Sequence, residues 1–331
     1  MHGKYHSTFN ALISSAGRRV VLLGLFRDAL RDLRLEGRVL AVDCSRTSPA
    51  FHIADAAFEM PRCNDPQFTP CMSDLCRRER VSLIVPTIDP ELPIYTAERH
   101  AFAAAGVTVA VSSPQTVAIS GDKVLTNRWL RDNGFETVRQ WYGPNAFGEV
   151  AGFPLIVKPR FGSASIGVHE ASTREELEIF LRRVKDPVIE ERASGLEYTV
   201  NVLIGRGGRV LSAVPHRRLE VRAGEVSKGV TTKDQRLLDL ALRLGGALPE
   251  AFGALNFQCF LGDDGLFRVI EINPRFGGGY PLAHRAGVNF PKWLIEETLD
   301  LPSTSRFDEW EDGLAMLRYD EAVFIRREAI E

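Results

Sequence analysis

Glu271-Ile272-Asn273-Pro274-Arg275-Phe276-Gly277-Gly278-Gly279 sets an acid, an amide and a guanidinium two residues apart, and then three glycines in a row. Leu266-Phe267-Arg268-Val269-Ile270 reads as a strand entering this stretch. Side chains two apart on a strand share a face, so Glu271 and Asn273 should project together as oxygen donors. A strand that ends in Pro and Gly opens into a loop where backbone can approach a ligand with no Cβ in the way. A solvated strand end closing on a turn would show the same residues. The choice between the two rests on what the rest of the chain brings to this strand.

Upstream, Asn256-Phe257-Gln258-Cys259-Phe260 has strand character, and Gly262-Asp263-Asp264-Gly265 is a hairpin that returns the chain so that Gln258 faces Glu271. Further back, Lys158 ends the apolar run Phe153–Val157 and precedes a loop holding Gly162, Ser163, Ser165 and Gly167. A lysine followed by free backbone N–H groups suits polyphosphate oxygens. The order differs from a Walker A loop, because the lysine precedes the glycines and no helix follows at once. Glycine-serine hairpin loops are also common without any ligand. Between these segments, Glu190-Glu191-Arg192-Ala193-Ser194-Gly195-Leu196-Glu197 could be a hinge whose backbone meets an adenine edge while Glu197 reaches sugar hydroxyls, or a charged turn between two strands. Lys123 opens a helix that Asn133-Gly134 closes.

Lys123, Val157-Lys158-Pro159 with its loop, Ile189-Glu190-Glu191, Gly195-Leu196-Glu197-Tyr-Thr-Val-Asn-Val, Gln258 and Glu271-x-Asn273-Pro-Arg275 stand in the order and spacing of the ATP-grasp enzymes. The whole chain resembles stand-alone proteins similar to half of the large subunit of carbamoyl-phosphate synthase. That resemblance implies a Rossmann-like preceding domain over 9–115, a small ATP-grasp lobe over 116–187, a large lobe over 188–305 and a tail over 306–331. In fold class it implies α/β followed by α+β. It implies that Lys123 and Lys158 contact ATP phosphates and that Ser163, Ser165 and Gly167 belong to a loop folding over them. Glu190, Glu191 and Ala193 would hold adenine and Glu197 the ribose. Gln258, Glu271 and Asn273 would ligate two Mg²⁺ ions, a site that Mn²⁺ could also fill. Arg275, with Lys158, would act on the transferring phosphoryl group. Arg218, Arg222, Lys228, Gly278 and His284 are candidate substrate contacts, with His284 read as structural rather than as a base.

The first third carries its own pattern. Asn10–Ser14, Arg38–Asp43 and Val81–Pro86 read as strands, with helices over Val20–Leu33 and Asp74–Glu79, and another strand is expected near Val107–Val111. Such βαβ alternation implies a parallel sheet covered by helices. Ser14–Arg19 matches a dinucleotide fingerprint poorly, since Gly17 stands alone. Asp43 ends a strand where it could meet a ribose or cap its own loop. Pro86-Thr87-Ile88-Asp89-Pro90-Glu91-Leu92-Pro93 could line a crevice at the strands' carboxyl ends, or cap the next helix.

At 331 residues, with Lys plus Arg numbering 41 against Asp plus Glu 43, no global field draws the chain to nucleic acid or an anionic membrane. The apolar run Val20–Phe26 is too short to span a bilayer, and a cytoplasmic protein is expected. Five cysteines without a Cys-x-x-Cys pair argue against disulfides and a structural zinc site. By resemblance, the expected activity is an ATP-dependent carboxylate–amine ligase that forms an acyl phosphate from a small acid and releases ADP. A single grasp module without a glutaminase argues against carbamoyl phosphate synthesis by this chain alone. A small-molecule kinase or carboxyphosphate-forming enzyme, and a nucleotide-binding regulatory protein without turnover, stand as alternatives. The expected partners are a small carboxylate and an amine, with a homodimer compatible.

Overall fold

The computed structural model describes residues 8–143, 148, 150, 152–163 and 165–330. Ala164, inside the loop expected to cover phosphates, lies outside the described residues, as do 1–7 of the polar start.

The N-terminal part runs β1 (Asn10–Ser14), α1 (Val20–Asp32), β2 (Val39–Asp43), α2 (Pro49–Ile53), β3 (Ala56–Glu59), α3 (Phe68–Glu79), β4 (Val81–Pro86), α4 (Leu92–Ala104) and β5 (Thr108–Val109). Its strands form one parallel sheet in the order β3-β2-β1-β4-β5. Alternation sorts the side chains: Ala11, Ile13, Val39 and Ala41 face one core, while Leu12, Leu40 and Val42 face another beneath α3 and α4. Helix α1 covers the first face with Leu22, Leu23, Phe26, Ala29 and Leu30, spaced for a single helical stripe. The strand order reverses between β1 and β4, so a crevice opens beyond their carboxyl ends.

Two helices, α5 (Pro114–Gly121) and α6 (Lys123–Asp132), lead to β6 (Gln140–Trp141), β7 (Leu155–Pro159), β8 (His169–Ala171), α7 (Arg174–Arg183) and β9 (Pro187–Glu191). These strands make an antiparallel sheet in the order β6-β9-β7-β8 over a small core of Leu155, Val157, Ala171, Leu177, Val184 and Ile189. Then come β10 (Leu196–Ile204), β11 (Val210–Arg222), β12 (Glu225–Thr231), α8 (Gln235–Ala247), β13 (Gly253–Leu261), β14 (Phe267–Asn273), α9 (Tyr280–Arg285), α10 (Phe290–Thr298) and β15 (Ala315–Leu317). They build a six-stranded sheet in the order β14-β13-β10-β11-β12-β15. The core behind that sheet is continuous with the α1 face of the first one, where Phe26 meets Phe276 edge-on at 6.0 Å.

Fold class is as expected, α/β followed by α+β. Several boundaries move. The helix expected from Asp74 begins at Phe68, and the run Val107–Val111 contributes only Thr108–Val109 to the sheet. Because β9 pairs with β7 and β6, we place the join of the two lobes after Glu191 rather than at 187. No helix among the described residues is long and apolar enough to cross a membrane.

Candidate functional site

A cleft of about 370 Å³ lies between the four-stranded and six-stranded sheets. Strand ends and strand faces supply its lining: Lys158 from β7, Glu190 from β9, Glu197 from β10, Arg218 from β11, Gln258 from β13 and Glu271 from β14. Lys123 from the first turn of α6, the segment Glu191–Ala193, and Ser163 and Ser165 from the loop after β7 complete it. Gln258 stands directly opposite Glu271 in the β13–β14 register, as the hairpin spacing predicts.

Acids hold the cations of this cleft. Lys158 Nζ lies 2.6 Å from Glu190 Oε2, with the two side chains only 9% and 7% exposed. Gln140 Nε2 donates to the other Glu190 oxygen at 2.9 Å. Glu190 is therefore engaged with a lysine and an amide. Lys123 Nζ donates to the Gly162 carbonyl at 2.8 Å. Burial, and then the neighbouring Lys158 charge, hold the Lys123 ammonium below its ordinary range. Glu197 sits 3.1 Å from Arg218 Nε, and burial pushes its carboxyl up, opposed by Arg218 and reinforced by Glu271. Arg218 Nη1 donates to Thr199 Oγ1 at 3.2 Å and Nη2 to the Gly224 carbonyl at 3.1 Å. Its Nε, although close to Glu197, is buried without a hydrogen bond.

The loop after β7 takes left-handed backbone at Gly162 (φ +115), Ser165 (φ +57) and Gly167 (φ +73). Phe161 and Ile166 are exposed on it, at 56% and 76%. Apolar side chains held in solvent beside a polar cleft suit a flap that gains cover when it closes.

Asn273 is not part of the cleft lining. It is buried opposite Asn256, and its Oδ1 accepts from Arg275 Nη2 at 3.1 Å. Arg275 in turn donates from Nε and Nη2 to the two oxygens of Asp89, each at 2.8 Å. Planar fork and carboxylate match, so the pair is fixed in direction as well as distance. Asp89 belongs to a short turn after β4, and Glu91 anchors that turn. The Glu91 carboxylate is fully buried and accepts from Thr87 N at 2.6 Å, Ile88 N at 3.2 Å, Ser14 Oγ at 2.6 Å and Ser15 Oγ at 2.8 Å. Thr87 Oγ1 ties the same ends together by donating to the carbonyls of Ser14 and Ser15.

Beyond that knot lies a second cleft of about 400 Å³, at the reversal point of the parallel sheet. The N-terminal loop Ser15–Arg19, Thr87, Phe276–Gly278, Glu225 and the segment Arg318–Glu321 border it. The glycine run faces crowding rather than unusual backbone, since none of Gly277–Gly279 is left-handed. A Cβ on Gly277 would lie 3.1 Å from the Asn256 carboxamide carbon, one on Gly278 2.5 Å from the Glu225 carboxyl carbon, and one on Gly279 2.9 Å from His216 Nε2. His216 is fully buried with that nitrogen unpartnered, and burial pulls its pKa down to about 3, which keeps the ring neutral.

The candidate substrate residues separate. Arg218 lines the first cleft. Gly278 and Arg222 line the second, Arg222 paired with Asp320 at 2.9 Å. Lys228 is bound to Glu220 at 2.6 Å, and His284 stacks edge-on against Tyr280; neither lines either of these two clefts. Sequence reasoning missed Gln140, Arg19, Glu225 and Arg318. Asp89 was legible as a crevice residue but not as the partner of Arg275.

The donors present fit a magnesium nucleotide. Gln258 and Glu271 offer hard oxygen donors to the cleft, the orphaned Arg218 Nε stands beside Glu197, and Lys123 and Lys158 line the same cavity. Among the described residues no group of three or more His, Cys, Asp or Glu is arranged to hold a metal.

Comparison with known proteins bears on the family and the fold. Residues 11–110 match the family model described as PylC-like, N-terminal domain, and residues 183–322 match that described as ATP-grasp in the biosynthetic pathway with Ter operon. The carbamoyl phosphate synthase large chain of Bifidobacterium animalis subsp. lactis is 26% identical over 303 residues, covering 83% of this chain and 26% of the relative. The chain thus spans about a quarter of the length of that relative. Among solved structures, the biotin carboxylase domain of the Hydrogenobacter thermophilus 2-oxoglutarate carboxylase, in complex with MgADP, ADP and bicarbonate, superposes with a TM-score of 0.73 at 16% identity, covering 94% of this chain and 74% of that one. An L-amino acid ligase from Bacillus licheniformis gives 0.70 at 21% identity, covering 92% and 77%.

Proposed function

We propose that this chain, whose residues 11–110 match a PylC-like N-terminal model and 183–322 an ATP-grasp model, is an ATP-dependent carboxylate–amine ligase. One observation carries this: Lys123, Lys158, Glu190, Glu197, Gln258 and Glu271, drawn from five strands and a helix, meet in one cleft. Lys123 and Lys158 bind the phosphates, Glu197 with Arg218 takes the ribose side, and the backbone of Glu191–Ala193 takes the base. Gln258 and Glu271, joined by Asn273 once its oxygen leaves Arg275, would hold magnesium, which would neutralise charge on the phosphates. Arg275, released in part from Asp89, steadies the phosphoryl group on its way to the acid.

The chemistry needs no covalent protein nucleophile, because phosphoryl transfer is helped mainly by position and charge. A substrate carboxylate oxygen attacks the γ-phosphorus, and ADP leaves with the bridging oxygen. The neutral amine then attacks the acyl carbon, phosphate departs, and the amine's surplus proton goes to solvent. The second cleft, bordered by Arg275's own turn, is the place for the acceptor. The resemblance to an L-amino acid ligase makes amino acids the first acids and amines to try. Screening amino-acid pairs for ADP release, with mass spectrometry for loss of water on condensation, tests the proposal. AMP and pyrophosphate as products would overturn it, and ADP without a condensed product would point to a kinase.

A further inference from the structure

The C-terminal segment closes one side of the second cleft. Strand β15 extends the six-stranded sheet by pairing Lys228 with Leu317 and Val230 with Ala315, and the next four residues, Arg318 to Glu321, run along the opening. The Arg318 amide donates to the Ser227 carbonyl at 2.9 Å, and its Nη1 to Glu225 Oε2 at 3.0 Å. Glu225 also faces Arg19 Nη1 at 3.5 Å and packs directly on Gly278. One carboxylate therefore joins the start of α1, the glycine turn and the C-terminal segment. Burial works against its charge, but Arg19 and Arg318 hold its pKa below the usual carboxylate range. An ionised carboxylate between two guanidiniums is a poor base for an incoming amine, which leaves Glu225 the part of a strut.

We propose that Arg318 and Tyr319 are specificity-determining residues: the segment 318–321 is the wall that sets the width of the acceptor cleft, and it admits one small amine. This rests on the ligase function proposed above. A volume of about 400 Å³ is near the lower end for small-molecule pockets. The Arg318–Glu225 pair is partly exposed and weak by itself, so the segment is held chiefly by its main-chain pairing with β12. Substitution of its side chains should then change the cleft without unfolding the sheet.

The test uses the full chain as wild type, Arg318→Ala and Tyr319→Ala, with the acid partner found for the wild type and amino acids graded from glycine to tryptophan as acceptors. In Arg318→Ala the KM for the best acceptor should rise about fivefold or more, and in Tyr319→Ala acceptors too large for the wild type should give condensed product. The KM for ATP should stay within about twofold in both. Thermal melting within a few degrees of wild type confirms that Tyr319→Ala, whose side chain is exposed, reports on the cleft. Acceptor KM and size range unchanged in both variants would overturn the wall while leaving the ligase function standing. Absence of condensed product from the wild type with every pair would overturn the ligase function itself, and the wall with it.

Discussion

Replacing Glu190 by Gln removes the counter-charge of Lys158 while keeping the shape of the side chain and an oxygen for Gln140. The lysine nitrogen lies 2.6 Å from the carboxylate, and neither side chain is as much as a tenth exposed, so solvent screens the pair little. Removing one partner of such a pair costs about 3–5 kcal/mol. The loss should be local, because Glu190 pairs with Ile156 and Lys158 with Val188 at the centre of the four-stranded sheet. Amide hydrogen exchange in β7 and β9 reads that opening free energy directly. Lys158→Met together with Glu190→Gln, which removes both charges, should restore most of the protection. Nucleotide binding then decides the role of the lysine. If Lys158 meets phosphate, MgADP supplies the charge that the variant lacks, and recovery of about 1.4 kcal/mol tightens binding about tenfold. If Glu190 instead holds the base, the variant binds more weakly. Calorimetric titration of wild type and Glu190→Gln with MgADP measures the change, and a higher Kd in the variant would refute the assignment of Lys158 to phosphate.

Arg275→Ala should lower kcat by two to three orders of magnitude, about 3–4 kcal/mol of barrier for a positioned donor, with little change in the KM for ATP; an unaltered kcat removes Arg275 from the chemistry. Calorimetry with Mg²⁺ alone should show no tight binding, because Gln258, Glu271 and Asn273 offer one negative charge between them and Mg²⁺ sheds water reluctantly; strong binding without nucleotide contradicts that ligand set. Lys123 is held below its ordinary value of 10.5 by burial and by Lys158, and phosphates beside it would raise it again. Nucleotide binding should therefore take up protons between the lowered value and 10.5 and weaken as pH rises through that window, seen as buffer-dependent binding heats; proton release would refute it. Gly278→Ala should cost about 1 kcal/mol in thermal unfolding, since Glu225 can swing aside at the expense of two partly exposed ion pairs worth about 0.2–1 kcal/mol each. Gly195→Ala should cost far more, because its Cβ would fall 1.9 Å from the Leu261 carbonyl oxygen at a backbone φ of +101.

Where function depended on local periodicity, it was legible. Strand alternation and the hairpin Gly262–Gly265 placed Gln258 opposite Glu271, whereas the pairing of the Lys158 strand with the Glu190 strand is seen only in the fold. The same rule misled at Asn273. It shares a face with Glu271, but its Oδ1 accepts from Arg275 Nη2 and must be released before it can meet a metal. Gly277–Gly279 read as room for a ligand to approach the backbone, whereas the missing Cβ atoms at Gly278 and Gly279 are what Glu225, Val226 and His216 require. That reason depends on side chains about fifty residues upstream, which no window of sequence contains. Helix α8 did carry its signal, an Asp234 cap before the stripe Leu237, Leu238, Ala241, Leu244, and was simply passed over. Arg275 and Asp89 stand 186 residues apart; only the packing of the α1 face against the six-stranded sheet brings them together.

That packing gives the two halves of the chain a shared electrostatic problem. Lys158, Arg218 and Arg275 would each repel one another and bind phosphate indiscriminately if left bare, and each is instead held by an acid: Glu190, Glu197 and Asp89. Two of these acids come from the lobes that form the nucleotide cleft, and the third comes from the N-terminal domain. A ligand entering the cleft must exchange partners with the first two before it can draw on the third. Because Asp89 is fixed through Glu91 to Ser14, Ser15 and Thr87, the strand ends that border the second cleft, the position of Arg275 is set by the domain that frames the acceptor. On the function proposed above, an arginine anchored on the acceptor side would couple phosphoryl transfer to an occupied second cleft, which would be a physical reason for the parallel domain to be part of the same chain.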